Sequence, residues 1–322
     1  MEVIQVFDRP ASQRFYTVAG RFLFVEAVDS RLAQLAQQLF AGWQLTPISP
    51  RPREAQTEIR FFGEAPLPEI PSGLNRFDVA DGGRCYVDAD AYFLQFDNSL
   101  MRLRHDVPVR IDVWFKRIPE IGDAELARVT SFAVCAGLRR FGLFDLHSAG
   151  VVEPESGEGV LIIGSSGSGK STLTFQLATA GWPYLSDDEV LLSLSAGKIK
   201  AHGFRSFFAM REVASVGFKK VFEPADVFSS KRVSEVAPGW VLFTSITAAE
   251  QTRLTELTQA ETMSRLIHAC PWATYDTVVA GANLELLSRL TRQVKAYDLA
   301  AGTDLLQPNR AAELLQLQLR QN

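Results

Sequence analysis

Residues 164–171 read GSSGSGKS and match the phosphate-binding pattern GxxxxGK[ST] at every fixed position. Glycines let backbone N–H groups turn towards an anion, and the amine of Lys170 can neutralise β- and γ-phosphate oxygens. The hydroxyl of Ser171 is a group that ligates Mg²⁺ in such loops. The pattern predicts a nucleotide site with ATP and Mg²⁺ as its cofactors, against the alternative of a plain Gly/Ser turn. Its predicted residues are Gly164, Ser165, Ser166, Gly167, Ser168, Gly169, Lys170, Ser171 and Thr172.

Two adjacent carboxylates, Asp187 and Asp188, follow 17 and 18 residues after Lys170. Phosphoryl transfer to an alcohol needs Mg²⁺ held against the phosphates and a carboxylate that takes the proton of the hydroxyl. The pair lies between the apolar stretches WPYL and VLL, where a buried carboxylate is costly without a metal or a cation. We therefore predict both aspartates to be catalytic and assign Mg²⁺ to Ser171 and Asp188. The alternative is a solvated Asp-Asp-Glu turn.

His147, in FDLHSAGVV, stands on a strand-like segment just before the phosphate loop. Most single histidines on apolar strands are structural, yet this one is close enough in sequence to join the site, and we include it with Lys170 among the candidate catalytic residues. Arg205, in HGFRSFF, is a further cation that could reach a phosphate or an acidic substrate. The alternative for Arg205 is an ordinary solvated arginine.

The elements that must position these residues follow from hydrophobic periodicity. Strands are predicted for the apolar run before the phosphate loop and, earlier, for segments rich in aromatic and β-branched residues. Amphipathic helices are predicted at Ser30–Gly42, with Ser30 as N-cap, at Asp123–Phe141 and directly after the phosphate loop. We expect the second of these helices to pack on the sheet that follows it. The predicted strands are 15–28, 58–62, 85–96, 143–152 and 160–163.

Length and composition indicate a soluble globular protein of two domains. The chain has 322 residues, 47% of them hydrophobic, and a formal net charge of −4 without a long basic run, which argues against nucleic acid as a partner. We predict an N-terminal α+β module at residues 1–115 that recognises a substrate, and a catalytic α/β domain with a mixed sheet at residues 116–322.

The cellular location is predicted from cysteines and hydropathy. Three cysteines stand far apart in sequence and form no CxxC pair, which is typical of a reducing, cytoplasmic compartment. The N-terminus lacks the basic and apolar regions of a signal peptide, and no apolar run approaches the length of a membrane span. We therefore expect no membrane partner, while a homo-oligomer stays open.

Residues 143–195 contain LHSAGVV, then GVLIIGSSGSGKSTLTFQLATAGWPYLSDDEVLL. This ordered set resembles the C-terminal catalytic domain of the HPr serine kinase/phosphorylase family, and still more its HPr-kinase-like relatives. The resemblance implies the phosphoenolpyruvate-carboxykinase-like type of P-loop kinase domain. It implies that Lys170 and Ser171 contact nucleotide and Mg²⁺, that Asp187 and Asp188 bind metal and activate the acceptor hydroxyl, and that His147 lies near the transferred phosphate.

The chain departs from that family in two respects. It has no glycine-rich RGLGI-like signature after the nucleotide site, and its N-terminal module does not resemble the regulatory domain of the true enzyme. The prediction is thus an ATP-dependent kinase whose acceptor is a serine or another hydroxyl of a protein or precursor peptide. The alternatives are a small-molecule P-loop kinase and a nucleotide-binding regulatory or scaffold protein.

Overall fold

The computed structural model describes residues 12–49, 55–79, 82–87, 91–118, 122–211, 219–229, 231–270, 272–307 and 309–320. The chain is a mixed α/β protein that divides into two compact units, Met1–Leu143 and Phe144–Asn322. Among the helices of these residues, none combines the length and the apolar character needed to cross a bilayer.

The N-terminal unit is built on one nine-stranded sheet. Its strand order is β3-β1-β2-β4-β9-β8-β7-β6-β5, with β2–β4 and β4–β9 parallel and the other pairs antiparallel. The strands are β1 Ser12–Val18, β2 Arg21–Ala27, β3 Thr46–Pro47, β4 Thr57–Phe62, β5 Asn75–Val79, β6 Gly83–Val87, β7 Ala91–Gln95, β8 Ser99–Arg104 and β9 Val109–Phe115.

Two helices, α1 at Ser30–Ala41 and α2 at Asp123–Arg139, belong to this unit. The N-cap of α1 is Asp29 rather than the predicted Ser30, because the Asp29 carboxylate accepts hydrogen bonds from the amides of Arg31 and Leu32 at 2.8 and 3.0 Å. The predicted strands 15–28 and 85–96 are each two strands. In the first, Ala19 and Gly20 adopt positive φ and reverse the chain.

Helix α2 packs on β4, β8 and β9, which precede it. The predicted packing of this helix on the sheet that follows it stays a prediction. A Cβ atom added at Gly137 would lie 2.6 Å from Thr57 Cγ2 and 3.2 Å from Ile111 Cδ1, so the helix backbone directly covers the nine-stranded sheet. The rings of Phe132 and Phe96 stack at 6.2 Å. This packing explains why the chain divides after Leu143, whereas the sequence suggested a division at residue 115.

The C-terminal unit contains a six-stranded mixed sheet, a four-stranded antiparallel sheet and a two-stranded ribbon. Its strands are β10 Phe144–Leu146, β11 Ser148–Val152, β12 Gly159–Ile163, β13 Tyr184–Ser186, β14 Val190–Ser195, β15 Lys198–Gly203, β16 Phe208–Arg211, β17 Lys219–Phe222, β18 Glu235–Val236, β19 Pro238–Ile246, β20 Arg253–Glu256 and β21 Lys295–Ala301. Its helices are α3 Lys170–Thr179, α4 Pro224–Val227, α5 Gln259–Ala269, α6 Trp272–Tyr275, α7 Thr277–Gln293 and α8 Arg310–Arg320, with a 3-10 turn at Thr303–Leu306.

The six-stranded sheet has the order β13-β11-β12-β19-β21-β20. Strand β12 runs parallel to β19 and antiparallel to β11. Its side chains alternate between two cores: Val160 and Ile162 pack with residues of α3 and α8, and Leu161 and Ile163 pack with residues of α5, α7 and the four-stranded sheet. This period-2 burial on both faces fixes the register of β12 and therefore the point at which the chain leaves the sheet.

Candidate functional site

The phosphate loop connects the carboxyl end of β12 to the start of α3. Helix α3 begins at Lys170, and Gly169 before it has a φ of 94°, a left-handed conformation that favours glycine. At the other end of the loop, a Cβ atom on Gly164 would collide with the Ser168 hydroxyl and lie 2.7 Å from the carbonyl oxygen of Thr244. The loop is thus wound tightly against β19, with the first turn of α3 behind it.

The side chain of Thr244, on the neighbouring strand β19, makes hydrogen-bonding contacts with this loop and with β12. Its Oγ1 donates to the carbonyl oxygen of Ile163 at 3.3 Å and lies 3.2 Å from Ser168 Oγ. Ser168 is buried, while Ser165, Ser166 and Gly167 are exposed. The outer part of the loop is therefore open to a ligand and its base is fixed to the sheet.

Lys170 is only 5% exposed, and its Nζ lies inside the curve of the loop. The amine donates to the carbonyl oxygens of Gly164 at 2.6 Å and Ser165 at 3.3 Å. It also lies 3.1 Å from Nε2 of His147. The backbone amides at the start of a helix point out of its N-terminus, so the ammonium and the helix dipole together give this position positive potential.

Ser171 and Asp187 meet across the site. Ser171 Oγ donates a hydrogen bond to Asp187 Oδ1 at 3.1 Å, and Asp187 is 2% exposed. Asp187 follows β13, which pairs with β11 next to β12. A serine hydroxyl and a carboxylate are both oxygen ligands of the kind Mg²⁺ prefers.

Asp188 and His147 form a second contact at the mouth of the site. Asp188 Oδ1 lies 3.6 Å from His147 Nδ1, and the two side chains are 42% and 49% exposed. His147 occupies the break between β10 and β11, so the predicted strand 143–152 is interrupted at this residue. With a proton on Nδ1, the ring faces Asp188 with a donor and faces Lys170 with an acceptor.

The turn that carries both aspartates, residues 186–189, is held by groups the sequence did not single out. Ser186 Oγ donates to the carbonyl oxygen of Glu189 at 2.6 Å and accepts from the amide of Arg205 at 3.0 Å. Glu189 forms an ion pair with Arg205 at 2.6 Å. Arg205, predicted to reach a phosphate or to be solvated, instead pairs with a carboxylate next to the aspartates. The only sequence signal was the third acidic residue of Asp-Asp-Glu.

An aromatic cluster packs around Tyr184, at the start of the strand β13 that leads into this turn. Tyr184 packs with Phe208 and Phe228, and Phe175 of α3 contacts both phenylalanines. Burial raises the pKa of the Tyr184 hydroxyl, the Asp187 carboxylate raises it further, and Arg232 lowers it. Tyr184 is therefore a neutral phenol throughout the physiological range and serves packing rather than proton transfer.

Comparisons with known proteins add little to this geometry. No protein-family model matches the chain, and no curated protein sequence matches it. Among solved structures, the HPr(Ser) kinase/phosphatase from Coxiella burnetii aligns with 55% of this chain and 88% of its own chain, at 13% identity and a TM-score of 0.32. This neighbour is distant in both sequence and structure.

Proposed function

We propose that this chain is an ATP-dependent, Mg²⁺-assisted kinase that transfers the γ-phosphate to a hydroxyl group, with a serine of a protein or precursor peptide as the acceptor. The domain that carries the site is, in this proposal, a P-loop kinase domain of the phosphoenolpyruvate-carboxykinase-like type. The carrying observation is the chain of contacts from Asp188 through His147 to Lys170, at 3.6 and 3.1 Å. It links a half-exposed carboxylate to the amine of the phosphate loop.

The residues present suit ATP and Mg²⁺. The loop lies so close to Thr244 at Gly164 that no side chain fits there, while Ser165, Ser166 and Gly167 are exposed and could turn their backbone amides towards a phosphate. The hydroxyl of Ser171 and the carboxylate of Asp187, 3.1 Å apart, would hold the metal. Asp187 thus takes the place that the sequence assigned to Asp188. When bound, Mg²⁺ and ATP supply the electrophilic phosphoryl group and offset its negative charge.

The protein's own residues then divide the work. Asp188 is exposed enough to meet an incoming hydroxyl, and it accepts the proton that the hydroxyl loses. His147 orients the Asp188 carboxylate and, through Nε2, places it relative to Lys170. Lys170 exchanges its carbonyl contacts for phosphate oxygens, so its charge stays compensated before and after nucleotide binds. A nucleotide-binding scaffold would not need a carboxylate placed at the mouth of the loop.

The proposal also covers how the acceptor is recognised, which compartment the protein occupies and which partners it has. The N-terminal unit, with its broad nine-stranded sheet, would recognise the protein or peptide acceptor. Cys85, Cys135 and Cys270 are buried and are not joined by disulfide bonds, which suits a reducing cytoplasmic compartment. We do not expect nucleic acid to be a partner, given the net charge of −4.

The test is to incubate the protein with Mg²⁺ and γ-labelled ATP in a lysate of the source cells and with the products of neighbouring genes. Lys170→Ala and Asp188→Asn are the test variants, and Lys198→Ala, an exposed lysine at the start of β15, is the control. We expect a labelled polypeptide whose labelling falls by a factor of about 10²–10⁴ with Asp188→Asn and is unaffected by the control.

Two results would redirect the proposal. Label on a small metabolite would indicate a small-molecule kinase. Tight ATP binding without any transfer or any Asp188-dependent turnover would indicate a regulatory nucleotide-binding protein, and the role given to Asp188 would be wrong.

A further inference from the structure

Asp188 has a backbone conformation that most side chains avoid. Its φ of 63° lies in the left-handed region, where a non-glycine residue persists only if its surroundings hold it there. The preceding Asp187 and the following Glu189 are bridged by a hydrogen bond from the Glu189 amide to the Asp187 carbonyl oxygen at 2.7 Å. The turn is therefore tight around Asp188, and the direction of its carboxylate depends on what fixes the two sides of the turn.

One side of the turn is fixed by the phosphate-loop helix through the Ser171–Asp187 hydrogen bond. The other side is fixed by the segment that follows β15. There the amides of Phe204 and Arg205 both donate to Ser186 Oγ, at 3.2 and 3.0 Å. The Arg205 guanidinium reaches back to Glu189 at 2.6 Å. Arg205 thus contacts the turn at both of its ends, once by backbone and once by side chain.

The Arg205–Glu189 pair is well sheltered, with side-chain exposures of 24% and 13%. A sheltered, charge-assisted contact is stronger and more directional than a solvated one. Arg205 is itself held in place, because its carbonyl oxygen accepts from Arg232 Nη2 at 3.2 Å and its guanidinium lies 5.5 Å from the centre of the Phe204 ring. An arginine anchored in this way is suited to positioning a neighbour.

We infer that Arg205 is a positioning residue that, through Glu189 and Ser186, holds the 186–189 turn so that the Asp188 carboxylate faces His147 and the acceptor hydroxyl. This inference rests on the proposed kinase function for its catalytic consequence. Because Arg205 contacts Glu189 and Ser186 of the turn that carries Asp188, we expect its loss to lower the rate of transfer rather than the affinity for nucleotide.

The kinetic test uses Arg205→Met, Glu189→Gln, the double variant and the charge-preserving Arg205→Lys. Arg310→Met, which removes a partner of Asp304 from a longer and more exposed ion pair of the same unit, is the control for loss of an arginine. We expect Arg205→Met and Glu189→Gln each to lower kcat for transfer by about 100-fold while KM for ATP stays unchanged. The double variant should be no slower than Arg205→Met, since both act through one contact. Arg205→Lys should recover most of the rate.

An unchanged kcat in Arg205→Met would overturn the inference, and so would a parallel change in KM, which would make Arg205 a nucleotide contact. Failure of Arg205→Lys to recover any activity would also count against it, because the conservative variant keeps the charge that pairs with Glu189.

A second measurement does not depend on catalysis. Amide hydrogen exchange in Arg205→Met should be faster by about 10-fold at Phe204 and Glu189, and unchanged at Leu173 and Leu177 of α3. If wild-type protein transfers no phosphate yet this local loss of protection occurs, the proposed function fails and the positioning of the turn stands. If Phe204 and Glu189 keep their protection, the positioning role is wrong whatever the activity.

Discussion

The Ser171 hydroxyl donates a hydrogen bond to the Asp187 carboxylate at 3.1 Å, although the strands that precede these two residues are not neighbours in the sheet. Ser171 stands in the first turn of the helix after β12, whereas Asp187 follows β13, and β11 lies between these strands in the sheet. Because neighbouring strands are about 4.8 Å apart, the chain must bring the two groups together from a separation of about 10 Å. Strands β12 and β13 both run antiparallel to β11, so their carboxyl ends lie at the same edge of the sheet, and Ser171 and Asp187 both extend from this edge.

Replacing either partner should weaken the use of Mg²⁺. We expect Ser171→Ala and Asp187→Asn each to raise the Mg²⁺ concentration for half-maximal ATP binding by about 10- to 100-fold. The double variant should be no worse than the more affected single variant, since both changes remove parts of one site. Isothermal titration with ATP at a series of Mg²⁺ concentrations measures this. Additive losses would show that the two residues act at separate places.

Gly164 should be intolerant of any side chain. Gly164→Ala places a carbon against Ser168 Oγ and 2.7 Å from a backbone oxygen of Thr244, so the loop must move away from β19. We expect ATP affinity to fall by about 100-fold or more, because the amides that surround the phosphate lose their alignment.

Gly281→Ala is the control for that substitution. Gly281 lies within α7, where an added Cβ meets nothing within 4 Å, and alanine is about 1 kcal/mol more favourable than glycine inside a helix. Thermal denaturation should show a higher Tm for Gly281→Ala with normal ATP binding. Equal ATP binding by the two alanine variants would contradict the steric argument.

The sequence was sufficient for the phosphate loop because all of its determinants are local. A buried strand, glycines at fixed spacing and a helix directly after them specify β12, the loop and α3 without help from distant residues. The apolar flanks of the paired aspartates suit the burial of Asp187, whereas Asp188 is 42% exposed, and the catalytic role of both stays a prediction. Arg205 could not be assigned in the same way, since its partner Glu189 is brought to it by the β14–β15 hairpin, and sequence distance does not reveal that pairing.

The fold likewise depends on contacts between distant residues that local sequence patterns do not reveal. Helix α2 has a clear apolar face, but an apolar face alone does not reveal that the helix packs on β4, β8 and β9. Likewise, the turn at Ala19 and Gly20 divides one apolar run into two paired strands, and periodicity within the run does not reveal a reversal of direction. Local patterns therefore predicted where the elements lie, whereas the reversal at Ala19 and Gly20 depends on strand pairing that such patterns do not contain.

The left-handed backbone conformation of Asp188 should reduce the stability of the folded protein, and glycine at this position should remove that penalty. With φ at 63°, Asp188→Gly should raise the free energy of unfolding by about 1 kcal/mol relative to Asp188→Ala, because only the alanine variant pays the left-handed penalty. For a domain of this size that difference corresponds to about 2–4 °C in Tm. Differential scanning calorimetry of the two variants measures it, and both should lack phosphotransfer. Identical Tm values would show that the turn relaxes when the carboxylate is removed.

Asp304 anchors the 3-10 turn that α3 contacts. Its carboxylate accepts hydrogen bonds from the amide and the hydroxyl of Thr252 at 2.9 and 2.6 Å, and Gln176 of α3 donates to the carbonyl oxygen of Leu305 in the same turn. Burial alone would raise the pKa of Asp304. The hydrogen bonds from Thr252 and the nearby Arg310 guanidinium outweigh burial and lower this pKa.

Because the folded pKa of Asp304 is lowered, its contribution to stability is fully present above the unfolded pKa of about 3.9 and is lost as the pH falls through the folded value. Asp304→Asn should therefore destabilise the protein most at pH 5 and above, and the difference from wild type should shrink steadily below about pH 4. Urea unfolding between pH 3 and pH 7 measures this. Glu256→Gln, an exposed change on β20, is the control. A destabilisation by Asp304→Asn that stayed constant down to pH 3 would contradict the lowered pKa of Asp304, because the loss of stability would then not depend on ionisation of the carboxyl group.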